Sequence, residues 1–159
     1  MTTYVALLRG IGPGNPNMHQ SKLKACFEKA GFTDVHPIIN SGNVVFKSSE
    51  KNEVKLEAHI EAALTKHLGF TRAAIVRSEA DLKKLVKKNP FKGVKDEKPN
   101  YLLVTFFKDR KKKELCTVID LSGQKTPDFM VRLDKDHGKA VTSRTWKTVN
   151  RILTKMEAI

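Results

Sequence analysis

The stretch Val35–Ser48, "VHPIINSGNVVFKS", decides the fold. It sets two apolar runs, Val35–Ile39 and Val44–Ser48, on either side of Asn40, Ser41, Gly42 and Asn43. Those four are turn residues for physical reasons. Gly and Asn tolerate left-handed backbone, and Ser and Asn side chains bond their own main chain. Two short apolar runs flanking such a turn predict a β-hairpin. Upstream, Thr3–Arg9 ("TYVALLR") is an almost continuous apolar run, as in a strand covered on both faces. From Ser21 onward, Leu23, Cys26, Phe27 and Ala30 fall at i, i+3, i+4 and i+7, which predicts a helix ended by Gly31. Downstream, Leu56, Ile60, Ala63, Leu64 and Leu68 form one face of a longer helix stopped by Gly69, and Thr71–Ser78 reads as a strand. The order is βαββαβ, which predicts a ferredoxin-like subdomain over residues 1–78.

The second half predicts a smaller α+β subdomain over residues 79–159, packed on the first. Ser78 and Asp81 form an S-x-x-D capping box for the helix in "EADLKKLVKK", which ends at Asn89 before Pro90. The segment 89–100, with two prolines and a glycine, reads as the joining loop, and Tyr101–Phe107 ("YLLVTFF") as a strand. Beyond it the apolar spacing predicts a helix over Lys111–Leu121 with Leu115, Val118 and Ile119 inward. A strand over Asp128–Asp134 and a last helix from about Arg144 to Met156 follow.

Composition narrows the class of protein. In 159 residues, 30 Lys and Arg face 17 Asp and Glu, a formal charge of +13 that favours polyanionic partners such as nucleic acid. Cys26 and Cys116 stand alone, so neither a disulfide framework nor a zinc site is signalled, and a reducing compartment fits. No run approaches the roughly 18 apolar residues of a membrane span, and the N-terminus lacks the pattern of a signal peptide, so a soluble cytoplasmic protein is expected. The histidines His19, His36, His59, His67 and His137 make no H-x-x-H or H-E-x-x-H pattern, and no metal or cofactor is expected.

Two stretches are suited to chemistry. Glycines in "RGIGPGN" after the first strand allow backbone amides to line an anion, with Arg9 supplying charge. The dinucleotide fingerprint fails there, because Pro13 and Pro16 delay the helix. In "TSRTWKTVNRIL", Trp146, Val149, Leu153 and Met156 form a core-facing stripe, while Arg144, Lys147, Arg151 and Lys155 form a ridge of like charge. Arg144 and Thr148, read as first-turn residues, would face a phosphate or carboxylate at the positive end of the helix dipole. Ser41 lacks a nucleophile elbow or an orienting third group and reads as a turn residue.

Four stretches in order, "YVALLRGI", "NSGNVVF", "NPF" and "RTWKTV", resemble the bacterial family known as domain of unknown function 1697. The resemblance implies an α+β protein of two subdomains and no stated activity. Its marked positions fall on Arg9, Gly10, Ser41, Gly42, Asn43, Arg144, Trp146 and Thr148. After "RGI" this chain departs from the family, with "GPGNPN" and two prolines where the family has an Asn and a glycine pair. The leading expectation is a small anionic ligand bound between subdomains where Arg9, the Ser41-Gly42-Asn43 turn and Arg144 converge. The alternative is nucleic-acid binding through Lys147, Arg151 and Lys155. A third, an enzyme, has no residues to name.

Overall fold

The computed structural model describes residues 1–9, 19–39, 42–69, 71–109, 111–120 and 141–159. Its first part runs β1 (Thr2–Leu8), α1 (Gln20–Lys29), β2 (Thr33–Ile38), β3 (Asn43–Ser48), α2 (Glu53–Leu68) and β4 (Ala74–Ser78). These strands make one antiparallel sheet in the order β2-β3-β1-β4, so each βαβ unit is split by a strand of the other. The ferredoxin-like reading holds. One face of the sheet, with Tyr4, Ala6, Leu8, Val44 and Phe46, packs under α1 and α2 through Leu23, Phe27, Leu56, Ile60 and Leu64. The near-continuous apolar run of β1 is explained by its other face. Val5 and Leu7, with Val45 and Ile75, meet a second core.

That second core gathers elements of the second half. After α3 (Glu79–Lys88), β5 (Asn100–Phe107), β6 (Leu115–Asp120) and β7 (Val141–Thr145) form an antiparallel sheet ordered β6-β5-β7, followed by α4 (Trp146–Ala158). Leu82 and Leu85 of α3, Leu102, Val104 and Phe106 of β5, and Val149, Ile152, Leu153 and Met156 of α4 all bury against it. The chain is therefore α+β, as its sequence pattern predicts.

Two assignments change. Lys111–Leu121 contains a strand, β6, in place of the expected helix: Leu115, Val118 and Ile119 fit a helical spacing, but Thr117, Val118 and Ile119 are consecutive β-branched residues, stiff in a helix and at home on a pleat. The last helix begins at Trp146, two residues late. Thr145 is its N-cap, accepting the Thr148 amide at 3.2 Å, and Arg144 belongs to β7. The strand expected over Asp128–Asp134 lies outside the described residues.

The helix ends follow their local chemistry. Ser78 Oγ accepts the Asp81 amide and Asp81 Oδ2 accepts the Ser78 amide, each at 3.2 Å, completing the box that starts α3. Gly69, at φ +73, closes α2 in the left-handed conformation. On β4, the amides of Ala74, Val76 and Ser78 donate to carboxylate oxygens of Glu61 (3.1 Å), Glu57 (2.9 Å) and Asp81 (3.2 Å). Glu57 and Glu61 are one helical turn apart on α2, matching residues two apart along the strand. Glu57 is only 1% exposed.

Candidate functional site

The two sheets meet at a seam of strand ends, and three arginines cross it. Arg144, 9% exposed, sends Nε to Asn43 Oδ1 at 2.5 Å. Its Nη1 donates to Thr142 Oγ1 (2.6 Å) and the Ser143 carbonyl (2.8 Å), and its Nη2 to the Leu8 carbonyl (2.9 Å) and, at a long 3.5 Å, the Gly42 carbonyl. All five N–H directions of the guanidinium thus meet neutral oxygens. Burial brings its pKa down to about 10, so it stays charged at neutral pH. Holding that charge out of water costs on the order of 3 kcal/mol.

The contact is reciprocated. Arg9, directly after β1, donates Nη1 to the Val141 carbonyl of β7 at 2.6 Å. From β4, the buried Arg77 donates Nη2 to the Phe107 carbonyl at 2.5 Å and Nε to Glu114 at 3.4 Å. Phe107 and Val141 are cross-strand partners at the end of the second sheet. Two guanidiniums of the first sheet therefore grip one residue pair of the second. Arg77 carried no functional reading in the sequence; the available signal was a charged residue on the same face as Ile75 in an otherwise apolar strand.

The hairpin turn is part of the same assembly. Asn43, fully buried, uses Nδ2 to bond the Ile38 carbonyl at 3.1 Å while its oxygen takes Arg144. Gly42, at φ +75, turns its carbonyl to the Leu8 amide at 2.8 Å. Asn43 is thus more than a turn former: it locks the hairpin and orients the arginine. The structure brings Arg9, Gly42, Asn43 and Arg144 together. Gly10 and Ser41 lie outside the described residues. Beside the seam, where the Arg9 amide bonds the Ala73 carbonyl at 3.0 Å, a cleft of about 500 Å³ is lined by Glu61, Thr65, Arg72, Ala73 and Lys108.

Trp146 and Thr148 stand elsewhere. Trp146 packs half-buried on the second core, edge-on to Phe91 with ring centroids 5.2 Å apart at 66°. The Thr148 amide is satisfied by its cap, so the helix N-terminus expected to greet an anion together with Arg144 is not built that way. Lys147 and Arg151 are exposed on α4 and Lys155 is half-buried, leaving a ridge of three without Arg144. Tyr4 and Phe46, the aromatics on the strands of the first sheet where bases could stack, are buried and stacked on each other at 5.7 Å beneath α1 and α2.

The family described as "Protein of unknown function (DUF1697)" matches residues 1–134. The chain belongs to this family. The match spans the strand-loop start with Arg9, the Asn40–Phe46 hairpin and the Asn89–Phe91 segment, and ends before Arg144. No curated protein matches the chain. Among solved structures, a conserved bacterial protein, SP0830 from Streptococcus pneumoniae, is similar at 18% identity and a TM-score of 0.68 over 99% of each chain. At that identity the likeness shows that the DUF1697 chain shares its fold. Among the described residues no helix is long and apolar enough to cross a membrane, and no His, Cys, Asp or Glu cluster is placed to hold a metal.

Proposed function

We propose that this protein binds a small phosphate- or carboxylate-bearing ligand at the arginine seam. One observation carries the reading: a guanidinium nine-tenths buried, bonded among the described residues to neutral oxygens, stands where Arg9 and Arg77 also converge. An anion about 7 Å from such a charge gains roughly 2 kcal/mol at an effective dielectric near 20. Arg144 acts through its field, because its donors are occupied within the fold. Arg9, half-exposed, and the neighbouring cleft, where Arg72 lies beside the Lys108–Glu61 ion pair, supply the groups that meet the ligand.

The test is thermal unfolding in orthophosphate, pyrophosphate and citrate at constant ionic strength. A ligand at 100 times its Kd adds about 2.7 kcal/mol of stability. Arg9→Gln is expected to remove that gain while the variant remains folded. If none of the anions raises the midpoint beyond matched sodium chloride, the reading fails.

A second reading, nucleic-acid binding, is favoured by the exposure of Lys147 and Arg151 beside Lys155 on α4. With Tyr4 and Phe46 buried, it rests on phosphate attraction alone. Two free thiols support a reducing, cytoplasmic setting for either reading.

A further inference from the structure

A second concave surface lies on the far side of β4 from the glutamate-lined helix, between α3 and β6. It is a cleft of about 390 Å³, with Lys84 and Lys88 on one wall, Lys113 on the other, and Leu85, Pro90 and Cys116 between them. Asp81 and Glu114 also border it, but both are engaged: Asp81 accepts the Ser78 amide, and Glu114 meets Arg77. Counting Arg77, four cations stand against two carboxylates, a surplus of two positive charges. Lysines in the last turn of a helix are favoured by its dipole, which accounts for Lys88 without a ligand. It does not account for Lys84, one turn earlier on the same face, or for Lys113, which approaches from a different element.

We propose that this cleft binds a phosphorylated small molecule, its phosphoryl group held by Lys84, Lys88 and Lys113 and its apolar body resting on Leu85 and Pro90. Lys84 and Lys88 are about 6 Å apart along the helix, a spacing that lets two ammonium groups flank one phosphoryl group. Lysine binds phosphate as a point charge and tolerates the loose geometry of a surface cleft. The apolar floor favours a phosphate monoester over inorganic phosphate, because it offers area that a bare ion cannot cover. The site shares none of the residues assigned to meet a ligand at the arginine seam and touches that seam only through the Arg77–Glu114 pair at its border.

Cys116 is a built-in reporter. Its thiol is half-buried in the cleft wall, while Cys26 is buried in the other core and serves as the internal control. Alkylation of each cysteine by iodoacetamide is followed by mass spectrometry of the intact fold, with phenyl phosphate as the probe. Phenol and sodium chloride at matched ionic strength are the comparisons. Phenyl phosphate is expected to slow labelling of Cys116 at saturation, with phenol and salt leaving the rate unchanged. Losing one charged contact is worth about tenfold in affinity, so Lys84→Gln and Lys113→Gln should each raise the half-protecting concentration about tenfold. Both variants are on exposed side chains and are checked for folding by Trp146 fluorescence. Equal protection by salt, protection that survives the double variant, or no protection at millimolar phenyl phosphate overturns the proposal.

Discussion

Asn43 and Arg144, 101 positions apart, join through a 2.5 Å hydrogen bond from the guanidinium Nε to the amide oxygen, and the contact ties the start of β3 to β7. Removing the arginine takes a buried, charged donor away from the Leu8 carbonyl and the Asn43 amide oxygen. Arg144→Met is expected to cost about 3 kcal/mol in urea unfolding, and Asn43→Ala about 2 kcal/mol. The double variant should cost less than the sum, since each substitution breaks the same bond. Strict additivity would show that the two residues act separately.

His36 makes stability depend on pH. Burial first, then Lys155 and Lys24, hold its imidazole below the usual value of 6.5, against an opposing pull from Asp34. A base whose pKa is lowered by folding takes up its proton sooner in the unfolded chain. Stability is therefore complete above about pH 6.5 and falls as the pH drops from there through the folded pKa. His36→Gln should flatten that part of the profile. Lys155→Gln should raise the imidazole titration seen by proton NMR, and an unmoved titration would remove Lys155 from the account.

Trp146, the single tryptophan, reports on its own packing. With Phe91 edge-on to the indole, Phe91→Leu is expected to cost about 1–2 kcal/mol and to alter the native emission spectrum. An unchanged spectrum and midpoint would place the two rings out of contact in solution.

The α3 cap is separable from the seam. Ser78→Ala should lower stability by about 1 kcal/mol, measured by denaturant midpoint, with no change in any anion response.

Salt distinguishes the two functional readings. Nucleic-acid binding through α4 predicts that log K falls with log salt by roughly 0.9 per phosphate on duplex. The Lys147, Arg151 and Lys155 triple change to Gln should then shrink the slope by about two or three. Ligand binding at the seam is expected to be indifferent to that triple change and sensitive to Arg9→Gln.

What was legible in the sequence was periodic. The Leu23–Phe27 and Leu56–Leu68 stripes, the Asn40–Asn43 turn and the Ser78–Asp81 box each have a local cause, and the first six elements follow from them. The seam was only partly legible. Arg9 and Arg144 stand out by their surroundings, yet "RTWKTV" continues the charged spacing of α4 and reads as helix, while the strand Val141–Thr145, with β-branched Val141, Thr142 and Thr145, is only five residues long. Arg77 offered only a charge on the face of Ile75, and the carbonyls of Leu8, Phe107 and Val141 were invisible, since a backbone acceptor has no letter in a sequence. Cross-sheet contacts over 130 residues have no short-range signature.

The three carboxylates on β4 reach beyond their own hydrogen bonds. An edge strand with open amides is a template for a strand from another molecule, and the row of Glu61, Glu57 and Asp81 occupies every second amide from Ala74 to Ser78 on that edge. The opposite edge, β2, is interrupted by a register shift between Thr33 and His36 and by Pro37, which has no amide to offer. The four-stranded sheet is thereby guarded on both edges against pairing with a strand from another molecule.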